Sequence, residues 1–571
     1  VFTSLVLVML LTAGAHLLLG GIRPDAPRDK VIPSVKAHLS VLLALVLAAR
    51  GWGYWLDRYE LNFSPRGTVT GASYTDINAE LPALVLLLVA SGVAVVLTLW
   101  NLRRRGFLLP GAAIGLLVLA SILLQGVYPA AVQRLQVDPQ ELARESDYID
   151  RNLDATRTAY GLDSADLGTF TVEDDLTRQQ VDENEVTIDN VRLWDPGILQ
   201  TTYSELQALR TYYAFDDVDV DRYEIDGQLR QVMLSVRELQ QQELPAGALT
   251  YTHGLGVVAS QVNVADSEGQ PVFLARNIPT EGRDELVPAE QERIYYGETA
   301  TPAYSIVNSD QAELDYEESG TSEQVTTRYA GEGGVVIGNR LSRLAYALRF
   351  GDPNLVLSSL PNDDSRILYH RTVTERVRKV APYLSLDGDP YPVVHDDRVK
   401  WIVDGYTTSA NYPYSERRVF GTGTDARAVN YIRNSVKAVV DAYDGTVTLY
   451  QVDDDPIVEA WRSAFPSRFS DEIPEGLDAN FRYPQDLFQL QADLYSIYHI
   501  PGAPAFYSRA DAWDIPADPA RLQNNPQLRA EDTPLEPYYL LMRLPGEQDE
   551  ELVLIQPYLA RERPNMIAWL A

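Results

Sequence analysis

Arg103-Arg104-Arg105, followed by Phe107-Leu-Leu-Pro-Gly-Ala-Ala-Ile-Gly-Leu-Leu-Val-Leu-Ala-Ser-Ile-Leu-Leu-Gln-Gly-Val-Tyr128, decides how this chain is organised. The apolar run carries no charged residue. About twenty such residues cross the hydrocarbon core of a bilayer, and a basic cluster at one end of a span is retained in the cytoplasm. The chain is therefore expected to cross outward here. Everything after Tyr128 is then extracytoplasmic, in a multi-pass protein of the cell membrane.

Working outward, three further apolar stretches read as spans, at about 1–22, 37–55 and 82–100, with 107–128 as the fourth. Loop 23–36 carries Arg23, Arg28, Lys30 and Lys36 against Asp25 and Asp29, and sets the same orientation independently of Arg103, Arg104 and Arg105. Loop 57–81 is then external. Trp52, Tyr54, Trp55, Tyr59, Trp100 and Tyr128 lie where headgroup-level aromatic rings are expected. Arg50 can snorkel outward from its span, and the lone His16 reads as an interhelical hydrogen bond. Gly92 and Ala94 offer small-residue packing between helices. No span holds a mid-depth carboxylate, which argues against ion-coupled transport by these helices.

Residues 1–128 hold ten Arg and Lys against six Asp and Glu, so of the net −32 the remainder carries −36. That field repels nucleic acid and anionic headgroups and attracts cations or basic partners. With no cysteine, disulfides and thiolate chemistry are excluded together.

The region divides in sequence at about 350, into an α+β stretch over 129–350 and a sheet-rich stretch over 351–571. Asp138-Pro139 reads as a helix start, with Leu142, Ile149 and Leu153 on one face and Gly161 as the stop. Val186–Trp194 reads as a strand, followed by a helix from Pro196. Asp217, Asp219 and Asp221 alternate with Val218 and Val220, which reads as a strand with an acidic solvent face. The same run is the candidate site for a divalent cation, although Arg222 and Gln228 occupy the positions where a calcium hand needs Gly and Glu. No other cofactor is predicted. Gly331–Gly338 reads as a flexible turn before a helix over 339–350, whose Leu341, Leu344, Ala345 and Leu348 form a buried stripe. Asp387-Gly388, Asp444-Gly445 and Pro545-Gly546 read as hairpin turns. The expected fold is an α-helical transmembrane bundle followed by a large α+β extracytoplasmic region rich in antiparallel sheet.

Catalytic signatures are absent from the sequence. His253, His370, His395 and His499 lack zinc-protease spacing, and no nucleophile elbow occurs. His395-Asp396-Asp397 is as compatible with a hairpin end as with acid/base work. Dense tyrosines (Tyr295-Tyr296, Tyr391, Tyr406, Tyr412, Tyr414, Tyr483) suit packing or a binding surface.

Several ordered segments go further: Gly53-Tyr-Trp-Leu-Asp-Arg-Tyr59, Arg293-Ile-Tyr-Tyr-Gly-Glu298, Tyr304-Ser-Ile-Val-Asn308, Ala347-Leu-Arg-Phe-Gly-Asp352 and Val403-Asp-Gly-Tyr-Thr407. Tyr431-Ile-Arg-Asn-Ser-Val-Lys437, Asp444-Gly-Thr-Val447, Arg482-Tyr-Pro-Gln-Asp-Leu-Phe488 and Arg563-Pro-Asn-Met566 complete the set. Together they resemble the bacterial "uncharacterised protein family 0182" of multi-pass membrane proteins, along essentially the whole chain. The resemblance implies about seven spans before a large extracytoplasmic region, hence further spans upstream and more sheet downstream. It brings no catalytic residue or ligand. The function expected is binding or assembly in the cell envelope, with the lipid bilayer and other envelope proteins or a second copy as partners. The alternatives are a lipid or envelope-precursor transport component and a carboxylate-based envelope hydrolase or transferase.

Overall fold

The computed structural model describes residues 1–23, 31–103, 106, 108–169, 175–240, 249–299, 302–318, 323–524, 527, 529 and 533–571. Arg104 and Arg105 lie outside the described residues. Among the described residues, three helices are long and apolar enough to cross a membrane, Pro33–Phe63, Asp76–Arg103 and Leu108–Tyr160, and Phe2–Leu18 is a shorter apolar helix. Their interior is built from Leu47, Tyr54, Leu84, Leu87, Ala94, Ala113 and Leu117. A Cβ at Gly51 would stand 2.3 Å from Ser91 Oγ, so this glycine lets the second and third helices touch, whereas Gly92 faces open space. His16 Nε2 meets His38 Nδ1 at 3.2 Å, the interhelical bond expected of it.

The two ends of the bundle are distinguishable. Lys36 Nζ donates to the Asn101 carbonyl at 3.1 Å, which joins the two basic loops at one end. At the other end the Tyr414 N–H donates to the Asn62 carbonyl at 3.1 Å, so loop 57–81 and the sheet-rich region share a side.

Three wide, π-type turns occur at that second end, over Asp76–Glu80, Ile122–Val127 and Gln133–Val137. Each lies one turn before a proline (Pro82, Pro129 and Pro139). A proline ring clashes with the carbonyl four residues earlier and supplies no N–H, and a widened turn relieves both problems. Asp138-Pro139 opens a short 3₁₀ turn, Asp138–Gln140, and after Gln140, which leaves helical geometry at φ −147° and ψ 44°, the helix Glu141–Tyr160 begins, close to the start that the sequence predicts. It stops at Gly161, whose φ of 70° is the left-handed geometry glycine tolerates.

Beyond the bundle two sheets face one another, antiparallel except where Phe469–Ser470 pairs parallel with Val447–Gln451. One has five strands in the order Asp219–Ile225, Gln228–Val236, Val257–Ala265, Pro271–Arg276, Glu281–Gly282. The other is built on the long pair Arg398–Ser409 and Tyr431–Asp441, flanked by Ser385–Leu386, Tyr391–His395, Val447–Gln451 and Phe469–Ser470. Val232, Leu234, Val257, Trp401, Val403 and Val436 meet between them in one core drawn from both sides of residue 350. Helix Pro196–Gln207 covers the outer face of the first sheet through Leu199 and Tyr203. Helices Glu141–Tyr160, Gln485–Tyr498 and Ala503–Ser508 pack with Tyr406, Phe420 and Ile432 in a second core next to the bundle. A third sheet, Tyr538–Met542, Glu551–Ala560 and Met566–Leu570 with Trp513–Asp514, joins the first through Gln231. The Gln231 Nε2 donates to the Tyr539 carbonyl at 3.1 Å, and its Oε1 accepts from the Leu541 N–H at 3.0 Å.

Several local expectations are corrected. Glu185–Asp189 is helical, not extended; a short β-branched run has no period long enough to choose. Asp387-Gly388 does not close a hairpin, because both flanking strands pair with Arg398–Ser409 instead. The tight turn is at Asp396-Asp397, with φ of 51° and 54°, the mirror-image turn suited to twisted strands. Gly331–Gly338 is tightly packed: Cβ atoms at Gly333 and Gly338 would lie 2.2 Å and 2.4 Å from the carbonyls of Asp444 and Asp363. The following helix, Arg340–Phe350, presents the opposite face to that expected. Leu341 and Leu348 are 79% and 77% exposed, whereas Ala347 is buried. Arg343 turns inward because its guanidinium donates to the carbonyls of Ile337 (2.9 Å) and Pro361 (2.7 Å).

Candidate functional site

Strand Asp219–Ile225 does not carry an acidic solvent face. Asp219 and Asp221 are buried, since this strand is covered on both sides. Burial of a carboxylate requires a partner, and the segment Asn480–Arg482, just before helix Gln485–Tyr498, supplies it. Asn480 Nδ2 donates to Asp221 Oδ2 at 3.0 Å. Arg482 Nη2 donates to Asp219 Oδ1 at 2.9 Å, and its Nη1 to the Val220 carbonyl at 2.8 Å. The guanidinium carbon lies 3.7 Å from the centre of the Tyr391 ring and 4.9 Å from that of Tyr539. Backbone and ring face therefore fix an arginine fork that cannot be replaced by a point charge.

Above this buried pair lies a group of carboxylates. Asp217 is half-buried, Asp216 exposed and Glu298 half-buried; Asp389 reaches to 3.7 Å from Arg482 Nη2. Asp217 and Asp389 are neighbours, and burial first of all raises both carboxyls above the usual carboxylate range. Burial, then Asp389 and Asp216, push the Asp217 carboxyl up to about 7. Burial followed by Asp217, Asp219 and Asp216 pushes Glu298 well above the usual carboxylate range. Glu238, by contrast, accepts from the Glu298 N–H (2.6 Å), the Thr299 N–H (3.2 Å) and the Thr299 hydroxyl (2.8 Å). Of these carboxylates, Asp219 and Asp389 lie within 4 Å of the Arg482 guanidinium, at 2.9 Å and 3.7 Å.

A second buried pair supports the floor. Lys437 pairs with Asp404, Asn434 Nδ2 donates to Asp404 at 2.7 Å, and Tyr406 donates to Asp387. Burial, then Asp486 and Asp404, push Asp387 up to about 8.

The sequence-predicted cation run is thus split. Asp217 belongs to the open cleft, Asp219 to Arg482 and Asp221 to Asn480, and among the described residues no group of three His, Asp or Glu side chains gathers as metal ligands. Sequence reasoning missed Arg482, Asp389 and Glu298. Arg482 and Glu298 end or begin segments that carry the family resemblance, which was the available signal.

The histidines are structural. His253 is buried with its Nε2 2.9 Å from Asp315 and its Nδ1 2.8 Å from the Thr252 hydroxyl, while Arg293 clamps the same Asp315 at 2.7 Å. His395 meets Asp396 at 3.2 Å across the hairpin end. His370 pairs with Glu375 at 2.6 Å. His499 borders a cavity of about 460 Å³ with Arg157 and Tyr498, but its ring stacks 3.5 Å from Trp513 and both nitrogens face backbone carbonyls. Tyr295, Tyr296, Tyr391 and Tyr406 are buried, so much of the tyrosine density is packing. Among the expected interfacial rings, Trp52, Trp55, Tyr59, Trp100 and Tyr128 are exposed, whereas Tyr54 turns into the bundle under the Arg50 guanidinium, 4.0 Å away. Arg103 closes a 3₁₀ turn at the opposite end.

The model of the Uncharacterised protein family (UPF0182) matches residues 1–571. The chain belongs to UPF0182. Relatives carrying that family name include a UPF0182 protein of Frankia alni, 43% identical over 601 residues that cover 100% of this chain and 57% of the relative. One of Streptomyces coelicolor is 40% identical over 602 residues, with 100% and 59% covered. One of Moorella thermoacetica is 43% identical over 547 residues, with 94% and 58% covered. This UPF0182 chain thus spans less than two thirds of the length of these relatives. No solved structure matches it.

Proposed function

We propose that this UPF0182 chain is a membrane-anchored cell-envelope component whose acidic extracytoplasmic domain serves binding and assembly. The observation that carries the reading is the junction between bundle and domain. The last apolar helix continues from Leu108 through π-type and 3₁₀ turns into helix Glu141–Tyr160, and this outer helix is tied to distant chain. Asn152 Nδ2 donates to the carbonyls of Thr70 (3.0 Å) and Tyr414 (2.8 Å), and its Oδ1 accepts from Tyr498 (3.0 Å). The single Tyr160 hydroxyl hydrogen is shared between the carbonyls of Glu416 (2.9 Å) and Val429 (3.0 Å), and Arg157 donates to those of Tyr498 and Ile500. A domain carried on such a junction is held at a fixed height and angle, which suits recognition.

A second reading, a carboxylate-based hydrolase or transferase, draws support from the neighbouring carboxyls of Asp217 and Asp389, both raised by burial, since paired carboxyls can divide acid and base roles. Purification from native membranes in mild detergent, with mass spectrometry of everything retained, tests the first reading. A stoichiometric protein partner supports it. A lipid or glycan held without any protein partner favours transport, and turnover abolished by Asp217→Asn favours the enzyme.

A further inference from the structure

We propose that the outward face of helix Arg340–Phe350 docks an amphipathic helix of another envelope protein, one whose apolar stripe is bordered by carboxylates. The inference rests on the assembly reading and names the face and the chemistry of the partner.

Leu341, Leu344, Ala345 and Leu348 recur at the spacing of a single helical face. That face is turned to solvent: Leu344 is 48% exposed beside the bare Leu341 and Leu348, and Ala345 is exposed with them. The domain's own packing leaves the stripe unused. The inward side is fixed by Ala347 against Ile337, Leu355 and Ile367 and by Arg343 on the carbonyls of Ile337 and Pro361. Single exposed leucines are ordinary, but a contiguous stripe of them marks a contact surface, and this period is the one that a second helix meets.

Charge selects the partner. From Gly333 to Gly351 the chain holds three arginines and no carboxylate, in a region where carboxylates far outnumber basic residues. Arg340 precedes the first leucine and Arg349 follows the last, so at about 100° per residue they project roughly 90° to either side of the stripe. Both are exposed. Arg349 lies 4.9 Å from the centre of the Tyr369 ring and 3.1 Å from His370 Nε2. The next carboxylate along the chain, Asp352, is occupied by the Tyr304 hydroxyl and the Asn354 N–H. Carboxylates on both borders of the partner's stripe would meet both arginines.

Two other occupants fit less well. Pairing this helix with its own copy about a two-fold axis sets arginine against arginine. The bilayer around the bundle is distant. Arg433, near the start of strand Tyr431–Asp441, donates to the Ala159 carbonyl of the outer helix at 2.8 Å, whereas Gly333, which leads toward the docking helix, packs on the Asp444 carbonyl beyond the strand's far end. The eleven residues of that strand span about 35 Å.

The test places the photocrosslinking residue p-benzoylphenylalanine at Leu341, at Leu348 and, as an exposed control, at Leu167 of the full-length protein in living cells, and sequences every crosslinked peptide by mass spectrometry. The expected result is crosslinking from both helix positions, and not from Leu167, to one segment of another protein that carries apolar residues at helical spacing with Asp or Glu on both borders. Arg340→Glu should lower that yield about fivefold or more, while the purified variant melts as wild type does. Crosslinks to this chain itself make a second copy or another stretch of the protein the occupant and overturn the proposal. So do crosslinks to lipid alone or to a segment without carboxylates, equal crosslinking from Leu167, a yield indifferent to Arg340→Glu, or no crosslink from either helix position. If native purification returns a stoichiometric protein partner that neither position reaches, the face is wrong and the assembly reading stands; if neither approach returns a protein, both fall.

Discussion

The guanidinium of Arg482 lies 3.7 Å over the ring of Tyr391, and the same tyrosine hydroxyl accepts the Arg482 backbone N–H at 3.1 Å. One aromatic residue therefore fixes both the chain and the charge of the arginine on which the buried carboxylates depend. Ring, fork and Asp219 form a unit joining the start of helix Gln485–Tyr498 to the first strand of the five-stranded sheet.

Arg482→Met is expected to destabilise the protein by roughly 3–5 kcal/mol, because it leaves Asp219 charged, buried and uncompensated. Removing both charges, as Arg482→Met with Asp219→Asn, should recover a substantial part of that loss. Chemical denaturation of the three proteins in the same detergent measures it. Equal stability of wild type and Arg482→Met would mean that Asp219 finds another route to neutrality.

Stability should also fall as pH rises from about 4 toward 8. Asp217 is pushed up to about 7 and Asp387 to about 8, mainly by burial. In the unfolded chain both release their protons near the ordinary carboxylate value. Through that window the folded state holds more protons than the unfolded one, so each step up in pH favours unfolding. Asp315 has the opposite sign, since bonds from His253 and Arg293 outweigh its burial and hold its carboxyl low; its contribution is lost only on acidification below the usual carboxylate range. Asp217→Asn should therefore gain melting temperature over wild type progressively between pH 5 and pH 8, read by thermal scans across that range. A constant difference would place the proton elsewhere.

Helix Arg340–Phe350 provides a sharper test of packing. Leu348→Glu should change stability by no more than about 0.5 kcal/mol, as an exposed substitution does. Ala347→Glu should cost at least about 2 kcal/mol by placing a carboxylate where there is no room to solvate it. The reverse ranking would restore the leucine face to the core. Both values come from the same denaturation measurement.

This helix also marks the boundary of what the sequence can reveal. Its existence followed from the pattern; its cap, Asn339 accepting the Ser342 N–H at 2.8 Å, is seen in the structure. Its direction did not, because Arg343 is drawn inward by carbonyls of loops distant in the chain, and periodicity weighs leucine above an arginine whose partners are unseen. The apolar spans were legible because twenty uncharged residues admit few other readings. The long strands Arg398–Ser409 and Tyr431–Asp441 were legible in part from β-branched runs and turn residues. The acidic cleft was half legible. Asp217 and Asp219 stood out by spacing, but Arg482 comes from 263 positions beyond Asp219, Asp389 and Glu298 are likewise distant in the chain, and no local pattern records such a meeting.

Sidedness supplies the last prediction. The chain has no cysteine, so single introduced thiols report without background. Leu102 lies beside Asn101, whose carbonyl is held by Lys36 at the end joining the two basic loops. Leu167 is 70% exposed in the region that shares its end with loop 57–81. Two positions on opposite ends of one bundle must label oppositely. The positive-inside rule places the Leu102 end in the cytoplasm. In intact cells a membrane-impermeant maleimide should therefore modify Leu167→Cys at once and Leu102→Cys only after permeabilisation. The mirror result would invert the protein while leaving its fold intact. Labelling of both positions in intact cells would mean that Leu102 does not lie across the bilayer from the sheets, and the three long apolar helices would need another role.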